Sequence, residues 1–371
     1  MLVPAKPLLN TSPAMIKTEV YPAVPWNQFS FFSSGCDALV TALACLNVAK
    51  GSRVVLPALM CRSVPEKLLR HGYIPHYLDS QPTSPMPFAE SFLESCSAEE
   101  VGAVLLVDFF GFLPEGFEQM VGVLKTKGCV VVEDRCHSAF TSAENETADA
   151  IIYSIRKSLP SFDGGGLWLA NKELRGEVLP AAYPGYKDAL FVAVRLIERL
   201  VCAVGRPNIY ASTIASARQE YNIPKNYDAK SEQIEEVISI PPSWILNRQL
   251  NNAKLVAQVI KKRRGNFLEL AKRLTYMTPL FELSENKEVP QIFPFLDPSG
   301  GLVDYLRNRG VGAYRWPGTE LPILVRERRD CFPNALRLNR EVVCLPIHQS
   351  IETHHIERMV SLIDHYMSAG G

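Results

Sequence analysis

Lys157 lies in the stretch YSIRKSLPSFDGGG, where one lysine follows an apolar run and precedes three glycines. A lysine at the ligand-binding edge of a sheet can be desolvated and can then attack carbonyl groups as a nucleophile. Taken alone, Lys157 is more simply a surface charge. The glycines indicate a turn or close packing; they are not a phosphate-binding P-loop, because no Gly-Lys-Ser/Thr follows them.

Two further stretches contain residues that could act on the same ligand. Asp134 and His137 end the apolar run VVVEDRCHSAF. A carboxylate there could keep a ring nitrogen of a ligand protonated. Gly35 and Cys36 begin a helical pattern in SSGCDALVTAL, where free backbone N–H groups could bind a phosphate. The alternatives are a solvated loop acid beside an unrelated histidine, and an ordinary helix N-cap.

Together these three sites match the chemical groups of pyridoxal phosphate. That cofactor has a phosphate, a ring nitrogen whose protonation makes it an electron sink, and an aldehyde that a lysine can hold. The sequence therefore favours an enzyme in which Lys157, Asp134 and the start of the helix meet at one edge of a sheet.

The elements that must position these residues alternate between helix and strand from about residue 30 to 170. Fully apolar strands in such an alternation predict an α/β fold with a mostly parallel central sheet flanked by helices. Ligands bind at the carboxyl ends of such strands. A long helix is predicted over 243–274, followed by an α+β pattern. We place a large domain at 1–245, with an N-terminal segment 1–30, and a smaller C-terminal domain at 246–371.

Composition excludes several classes of protein. The net charge is zero and no long basic run occurs, so neither nucleic acid nor an anionic membrane is an expected partner. The nine cysteines form no CxxC pair, which argues against a disulfide framework or a zinc site and favours a reducing, cytoplasmic compartment. The apolar stretch 188–205 is interrupted by Arg195, Glu198 and Arg199 and is too short and too charged to span a bilayer.

Ordered motifs give the chain a family resemblance. SSGCDALVTAL, VVLPAL, VVEDRCHSAF, YSIRKSLPSFDGGGLWLA and EVVCLPIHQSI occur in the order of similar segments in the DegT/DnrJ/EryC1/StrS aminotransferases. The chain thus resembles a divergent member of that family, which belongs to the fold type I enzymes related to aspartate aminotransferase. The resemblance implies a pyridoxal phosphate cofactor, a homodimer and a biosynthetic role.

The resemblance also implies roles for single residues. Lys157 would hold the cofactor as a Schiff base and transfer protons, Asp134 would pair with the ring nitrogen, and His137 would lie near the phenolic oxygen. The phosphate would be held by Gly35, Cys36 and Ser154. Met60 stands in the segment where the family usually has a ring stacked on the cofactor, and its thioether could pack there instead.

The resemblance leaves the reaction partly open. The leading hypothesis is an aminotransferase that moves an amino group, from glutamate or another amino acid, to a keto group of a sugar nucleotide or another small biosynthetic intermediate. The alternatives are a lyase or dehydratase that uses the same cofactor, and a non-catalytic binding subunit. Candidate substrate residues are Arg156, Arg315 and His348, since arginine can hold a carboxylate with two hydrogen bonds.

Overall fold

A computed structural model of the protein describes most of the chain. The described residues are 2–8, 26–97, 100–114, 116–141, 147–177, 179–204, 237–277, 279–284, 288–318 and 320–369. The predicted N-terminal segment 1–30 lies largely outside these ranges. Of its described residues, 2–8 contact the C-terminal part of the chain: Val3 pairs with Val311, and the Leu8 N–H donates to Ser350 Oγ. The division at residue 245 stays a prediction.

Within the described residues, seven strands of the N-terminal half form one sheet. Their bounds are β1 Ser30–Phe32, β2 Arg53–Pro57, β3 Ile74–Leu78, β4 Val101–Val107, β5 Val130–Asp134, β6 Ala150–Ser154 and β7 Gly165–Leu169. The order across the sheet is β1-β7-β6-β5-β4-β2-β3. Strands β2 to β6 are parallel to their neighbours within that set, and β7 is antiparallel to both β1 and β6. The sheet is therefore mostly parallel, as predicted.

Helices pack against this sheet because their apolar residues recur at helical spacing. The helices of this half are α1 Gly35–Cys45, α2 Ser63–Arg70, α3 Ala89–Ser95, α4 Phe117–Thr126 and α5 Tyr186–Val204. Helix α1 lies against β6 and β7, and its Ala38, Leu39 and Leu43 are completely buried. The start of α1 is thereby held beside the end of β6.

The C-terminal part contains a second, two-stranded sheet and further helices. Strands β8 Ile292–Leu296 and β9 Val342–Pro346 pair antiparallel. The helices are α6 Trp244–Leu250, α7 Ala253–Arg273, α8 Leu302–Asn308, α9 Ile323–Glu327, α10 Pro333–Glu341 and α11 Thr353–Ser368. No helix among the residues with an assigned position is long and apolar enough to cross a membrane.

The single long helix predicted over 243–274 is two helices in the structure. Helix α6 ends at Leu250, and the Asn252 side chain accepts a hydrogen bond from the Leu255 N–H at the start of α7. Asparagine is a strong N-cap because its short side chain replaces a missing backbone acceptor. The periodic apolar pattern continues across the break, so periodicity did not reveal it.

Candidate active site

Two neighbouring strands end at one edge of the sheet and carry the predicted acid and lysine to the same place. Asp134 is the last residue of β5, and it is paired in register with Ile152 of the neighbouring β6. Strand β6 ends at Ser154 and continues into a 3₁₀ turn, Ile155–Lys157. The parallel pairing of β5 and β6 is the reason that residues far apart in sequence lie together.

Lys157 is half-buried beside an aromatic ring from the C-terminal part. Its Nζ lies 5.5 Å from the centroid of the Trp316 ring. Its charge also acts on the buried thiols of Cys36, Cys61 and Cys136. Lys157 therefore lies in an enclosed cluster and is not the isolated surface charge of the simpler interpretation.

Asp134 is buried and its carboxylate is oriented by the backbone. Only 6% of the residue is exposed, and Oδ1 accepts a hydrogen bond of 2.8 Å from the Cys136 N–H. A buried carboxylate with one oxygen held in this way keeps a defined direction for the other. The Asp134 carboxylate can therefore accept a hydrogen bond from a protonated ring nitrogen without changing its position.

His137 is buried and has a ring nitrogen without a partner. Its Nδ1 accepts a 3.4 Å hydrogen bond from the Phe110 N–H, which leaves the proton on Nε2. Nε2 is buried and has no hydrogen-bond partner among the described residues. Burial, and then the charge of Lys157, hold the pKa of His137 well below its usual value, so the ring is neutral. A buried N–H donor of this kind lacks only a ligand acceptor.

Aromatic rings surround the His137 imidazole. Phe110 stacks parallel to it at 5.8 Å between centroids, and Trp316 meets it edge-on at 4.4 Å. The Nε1 of Trp316 is also buried without a partner in the described chain. Two unpaired ring N–H groups next to Lys157 mark a place where a polar ligand would complete the hydrogen bonding.

The start of α1 lies beside Ser154, as a phosphate site would require. Gly35 itself is needed for the close packing of α1. A Cβ built on Gly35 would lie 2.7 Å from Cys136 Sγ and 3.1 Å from the Tyr153 carbonyl oxygen. The same Cβ would lie 3.5 Å from the Ser154 Cβ. The glycine therefore lets α1 pack against β6, whereas the sequence suggested that it lets an anion approach. The first N–H groups of the helix still have no partner in the helix itself.

The first turn of α1 also carries its own acid. Asp37 accepts hydrogen bonds from the hydroxyls of Ser33 and Ser34 and pairs with Lys67 Nζ at 2.7 Å. Its charge is thus balanced by the lysine of α2. A phosphate near Gly35 and Cys36 would face the helix N–H groups rather than an unpaired carboxylate.

The glycines after Lys157 have two structural reasons. Gly164 has a φ of +117°, a conformation that L-residues rarely adopt. A Cβ on Gly165 would lie 2.1 Å from the Ser34 carbonyl oxygen, so only glycine allows β7 to approach the residue that caps α1. Both the turn and the close packing proposed from the sequence are present.

Buried polar groups fix the turn that carries Lys157. Arg263 of α7 is 1% exposed, and its guanidinium donates to the carbonyl oxygens of Ser158 and Gln291. Burial lowers the pKa of Arg263 to about 10, so the group remains charged near neutral pH. On the other side, Asp163 accepts from the N–H and hydroxyl of Ser243. The lysine turn is thus held by α7 and by the start of α6.

Cys36 and Cys61 line the cluster, and Cys61 was missed from the sequence. Burial raises the pKa of both thiols, to about 11 for Cys36. The charges of Lys157 and Asp134 act on each of them, and the Cys36 thiol contacts Ser63 Oγ at 3.8 Å. Met60, the residue chosen from the sequence, is 3% exposed and belongs to the hydrophobic core. The sequence feature that could have identified Cys61 as a site residue is its position one residue after Met60.

The structure separates the three predicted substrate residues. Arg156 is exposed next to Lys157 and stays a candidate. One guanidinium nitrogen of Arg315 donates to the Gly300 carbonyl oxygen and forms a 2.9 Å ion pair with Asp304, and its substrate role stays a prediction.

His348 is a structural residue, contrary to its predicted role. It is 3% exposed, its Nδ1 accepts from the Ser350 N–H, and its Nε2 bonds the Pro4 carbonyl oxygen at 2.9 Å. Both ring nitrogens are occupied, so the side chain ties the N-terminal residues to the C-terminal part. The motif around His348 is similar to the family's segment, but motif similarity does not specify where the ring points.

The donor set fits pyridoxal phosphate. A half-buried amine, a buried carboxylate with a fixed oxygen, and a neutral imidazole with an unpaired N–H meet at one sheet edge, beside a helix N-terminus and the Ser154 hydroxyl. These groups correspond to the aldehyde, ring nitrogen, phenolic oxygen and phosphate of that cofactor. No group of three or more His, Cys, Asp or Glu residues in the described ranges is arranged to hold a metal ion.

Comparison with known proteins gives one family and one fold. Residues 30–194 match the DegT/DnrJ/EryC1/StrS aminotransferase family. No curated protein sequence matches the chain. The family match confirms the resemblance seen in the motifs, and it includes the segments that carry Gly35, Asp134 and Lys157.

Solved structures of similar fold cover nearly the whole chain. The aminotransferase TlmJ from Streptoalloteichus hindustanus is 16% identical, with a TM-score of 0.62 over 92% of this chain and 86% of that one. NtdA from Bacillus subtilis, solved with bound cofactor PMP, is 16% identical, with a TM-score of 0.65 over 92% and 73%. PseC from Helicobacter pylori, an aminotransferase of pseudoaminic acid biosynthesis, is 17% identical, with a TM-score of 0.63 over 92% and 87%. The predicted fold class is confirmed.

Proposed function

Because residues 30–194 match the DegT/DnrJ/EryC1/StrS aminotransferase family, we propose that the protein is a pyridoxal-phosphate-dependent aminotransferase that uses Lys157. The observation that carries the proposal is the convergence of Lys157, Asp134 and the unpaired Nε2 of His137 at one sheet edge. A non-catalytic subunit would have no need to keep these three groups together in a buried cluster.

When bound, pyridoxal phosphate supplies an electron-withdrawing ring that stabilises negative charge at the carbon losing its proton. The Asp134 carboxylate would accept a hydrogen bond from the ring N–H and keep that proton in place. The neutral His137 would donate a hydrogen bond from Nε2 to the phenolic oxygen. The Lys157 amine would hold the aldehyde, and its Nζ would be the atom that takes and returns a proton.

The surroundings of Lys157 keep water away from these transfers. Trp316, Phe110 and the protonated thiols of Cys36 and Cys61 provide apolar or weakly polar walls. The first N–H groups of α1 and the Ser154 hydroxyl would hold the phosphate.

We further propose glutamate or another amino acid as donor and a keto group of a sugar nucleotide or similar biosynthetic intermediate as acceptor. The description of one similar structure, Spr1654 from Streptococcus pneumoniae, as a putative sugar aminotransferase supports a sugar as acceptor. Arg156, exposed beside the lysine, is the residue we assign to a substrate carboxylate.

We also propose a homodimer in a reducing cytoplasm. Helix α5 exposes apolar side chains along one face, including Tyr186 (77% exposed), Leu190 (61%) and Leu200 (65%). Contiguous apolar surface of this kind is typical of an interface. The cysteines whose side chains the structure describes are all free thiols, which supports a reducing compartment.

The decisive experiment is spectroscopic. Protein incubated with pyridoxal phosphate should be yellow, with a visible band that is lost in Lys157→Ala and kept in Lys172→Ala, a change of an exposed lysine. Adding glutamate or another amino donor to the wild type should bleach the band. A wild-type protein that stays colourless after reconstitution would refute the proposal, and a yellow protein that no amino donor bleaches would refute transamination.

A further inference from the structure

A cavity in the C-terminal part is lined by four arginines. It has a volume of about 820 Å³ and lies between α9, the turn Arg329–Cys331 and α10. Besides Arg326, Arg329, Arg337 and Arg340, its lining consists of one asparagine and three apolar residues. The chain as a whole has no net charge, so this concentration of one sign is a local feature.

The positive charge of the cavity is only partly balanced. Arg337 and Arg340 share one carboxylate, that of Glu341, at 3.2 Å and 2.5 Å. Glu341 is 4% exposed. Arg326 and Arg329 form no ion pair within the described ranges, and no acidic residue of those ranges lines the cavity. Four guanidinium groups thus face one carboxylate.

An excess of arginine side chains favours phosphate groups as ligands. Guanidinium groups are planar and bind phosphate oxygens with two parallel hydrogen bonds. A concave surface of one charge sign also concentrates counter-ions. Because a single exposed ion pair contributes little, stable binding here needs a ligand that engages several arginines at once.

The shape of the cavity restricts the ligand further. Its volume lies within the range of about 300–1,000 Å³ that is usual for small-molecule sites. Leu321, Pro333 and Leu336 would contact a part of the ligand without charge. We propose that this cavity is a second binding site, and that it takes a small molecule with two or more adjacent phosphate groups. The proposal does not depend on the chemistry of Lys157.

Titration calorimetry with inorganic pyrophosphate tests the site. The protein is first saturated with pyridoxal phosphate, so that the phosphate site at α1 is filled. Wild type should bind pyrophosphate at low ionic strength at least tenfold more tightly than inorganic phosphate, and the affinity should fall as salt rises. Arg326→Gln/Arg329→Gln should weaken pyrophosphate binding at least tenfold.

A matched variant controls for the loss of charge. Arg53→Gln/Arg307→Gln removes the same two charges on the surface outside the cavity and should bind pyrophosphate like the wild type. No binding to the wild type at low salt, equal affinity for the two anions, or equal weakening in both double variants would each overturn the proposal.

A further arm identifies the source of the phosphates. If they belong to the amino-group acceptor, pyrophosphate should leave the bleaching of the cofactor by an amino donor unchanged, because the donor does not use the cavity. If they belong to a separate regulatory compound, saturating pyrophosphate should change that bleaching rate. Either result is assigned to the cavity only if Arg326→Gln/Arg329→Gln also removes the calorimetric signal of pyrophosphate binding.

Discussion

Replacing Gly35 by alanine should separate the packing of α1 from its role at the cofactor. The added Cβ would lie 2.7 Å from Cys136 Sγ and 3.1 Å from the Tyr153 carbonyl oxygen. Cβ contacts below 3.0 Å are essentially absent from proteins, and the Cys136 side chain is buried among packed atoms. We expect Gly35→Ala to cost about 1–3 kcal/mol in the free energy of unfolding, the usual cost of overpacking.

The second variant, Cys136→Ala, removes the closer of the two clashing atoms. In Gly35→Ala/Cys136→Ala only the contact with the Tyr153 carbonyl remains, at a distance to which neighbours can adjust by a few tenths of an ångström. The two changes should therefore be less damaging together than the sum of each alone, with a coupling of about 0.5–2 kcal/mol.

Urea unfolding of the protein without cofactor measures these values, and titration with pyridoxal phosphate measures the effect on the site. Gly35→Ala should weaken cofactor binding, because it moves the start of α1 away from Ser154. Gly122→Ala, where a Cβ meets nothing within 4 Å, serves as control and should be neutral or stabilising. Additive effects of Gly35→Ala and Cys136→Ala would refute the packing argument.

Three further outcomes follow from buried groups. Arg263→Met should destabilise the fold by about 1–3 kcal/mol and weaken cofactor binding, since the Ser158 carbonyl at the lysine turn loses the Arg263 hydrogen bond and keeps only that of Gln349; unchanged binding in titration with cofactor would argue against that anchor. Arg135→Met should cost about 3–5 kcal/mol in urea unfolding, because the buried Glu133 loses its partner at 2.6 Å, and adding Glu133→Leu should recover part of that loss. Burial lowers the pKa of His348 to about 3, so the unfolded chain binds a proton first on acidification and stability should fall below about pH 6.5, by about 1.4 kcal/mol per pH unit. Unfolding curves at about pH 7 and pH 5 should show this part of the loss in wild type and not in His348→Gln.

Much of the fold could be predicted from local patterns. The apolar runs that became β2 to β6 and the helical spacing in α1 and α4 are properties of neighbouring residues, and parallel pairing follows from their alternation. The same patterns predicted that Asp134 and Lys157 lie at the ends of two strands of the same sheet. The sequence pattern did not predict the break at Asn251–Asn252, because the apolar period continues across it and the Asn252 N-cap alone begins the new helix.

The sequence by itself determined the order of the strands along the chain and the types of residue at their carboxyl ends, and with them the lysine and the acid. Only the tertiary structure decided which side chains complete the site. From the C-terminal part, Trp316 reaches Lys157 and Arg263 bonds the neighbouring Ser158 carbonyl, whereas His348 and Arg315 are bonded elsewhere. The reason is physical: strand ends are positioned by local pairing, but the direction of a side chain depends on long-range packing and on which buried polar atoms still need a partner.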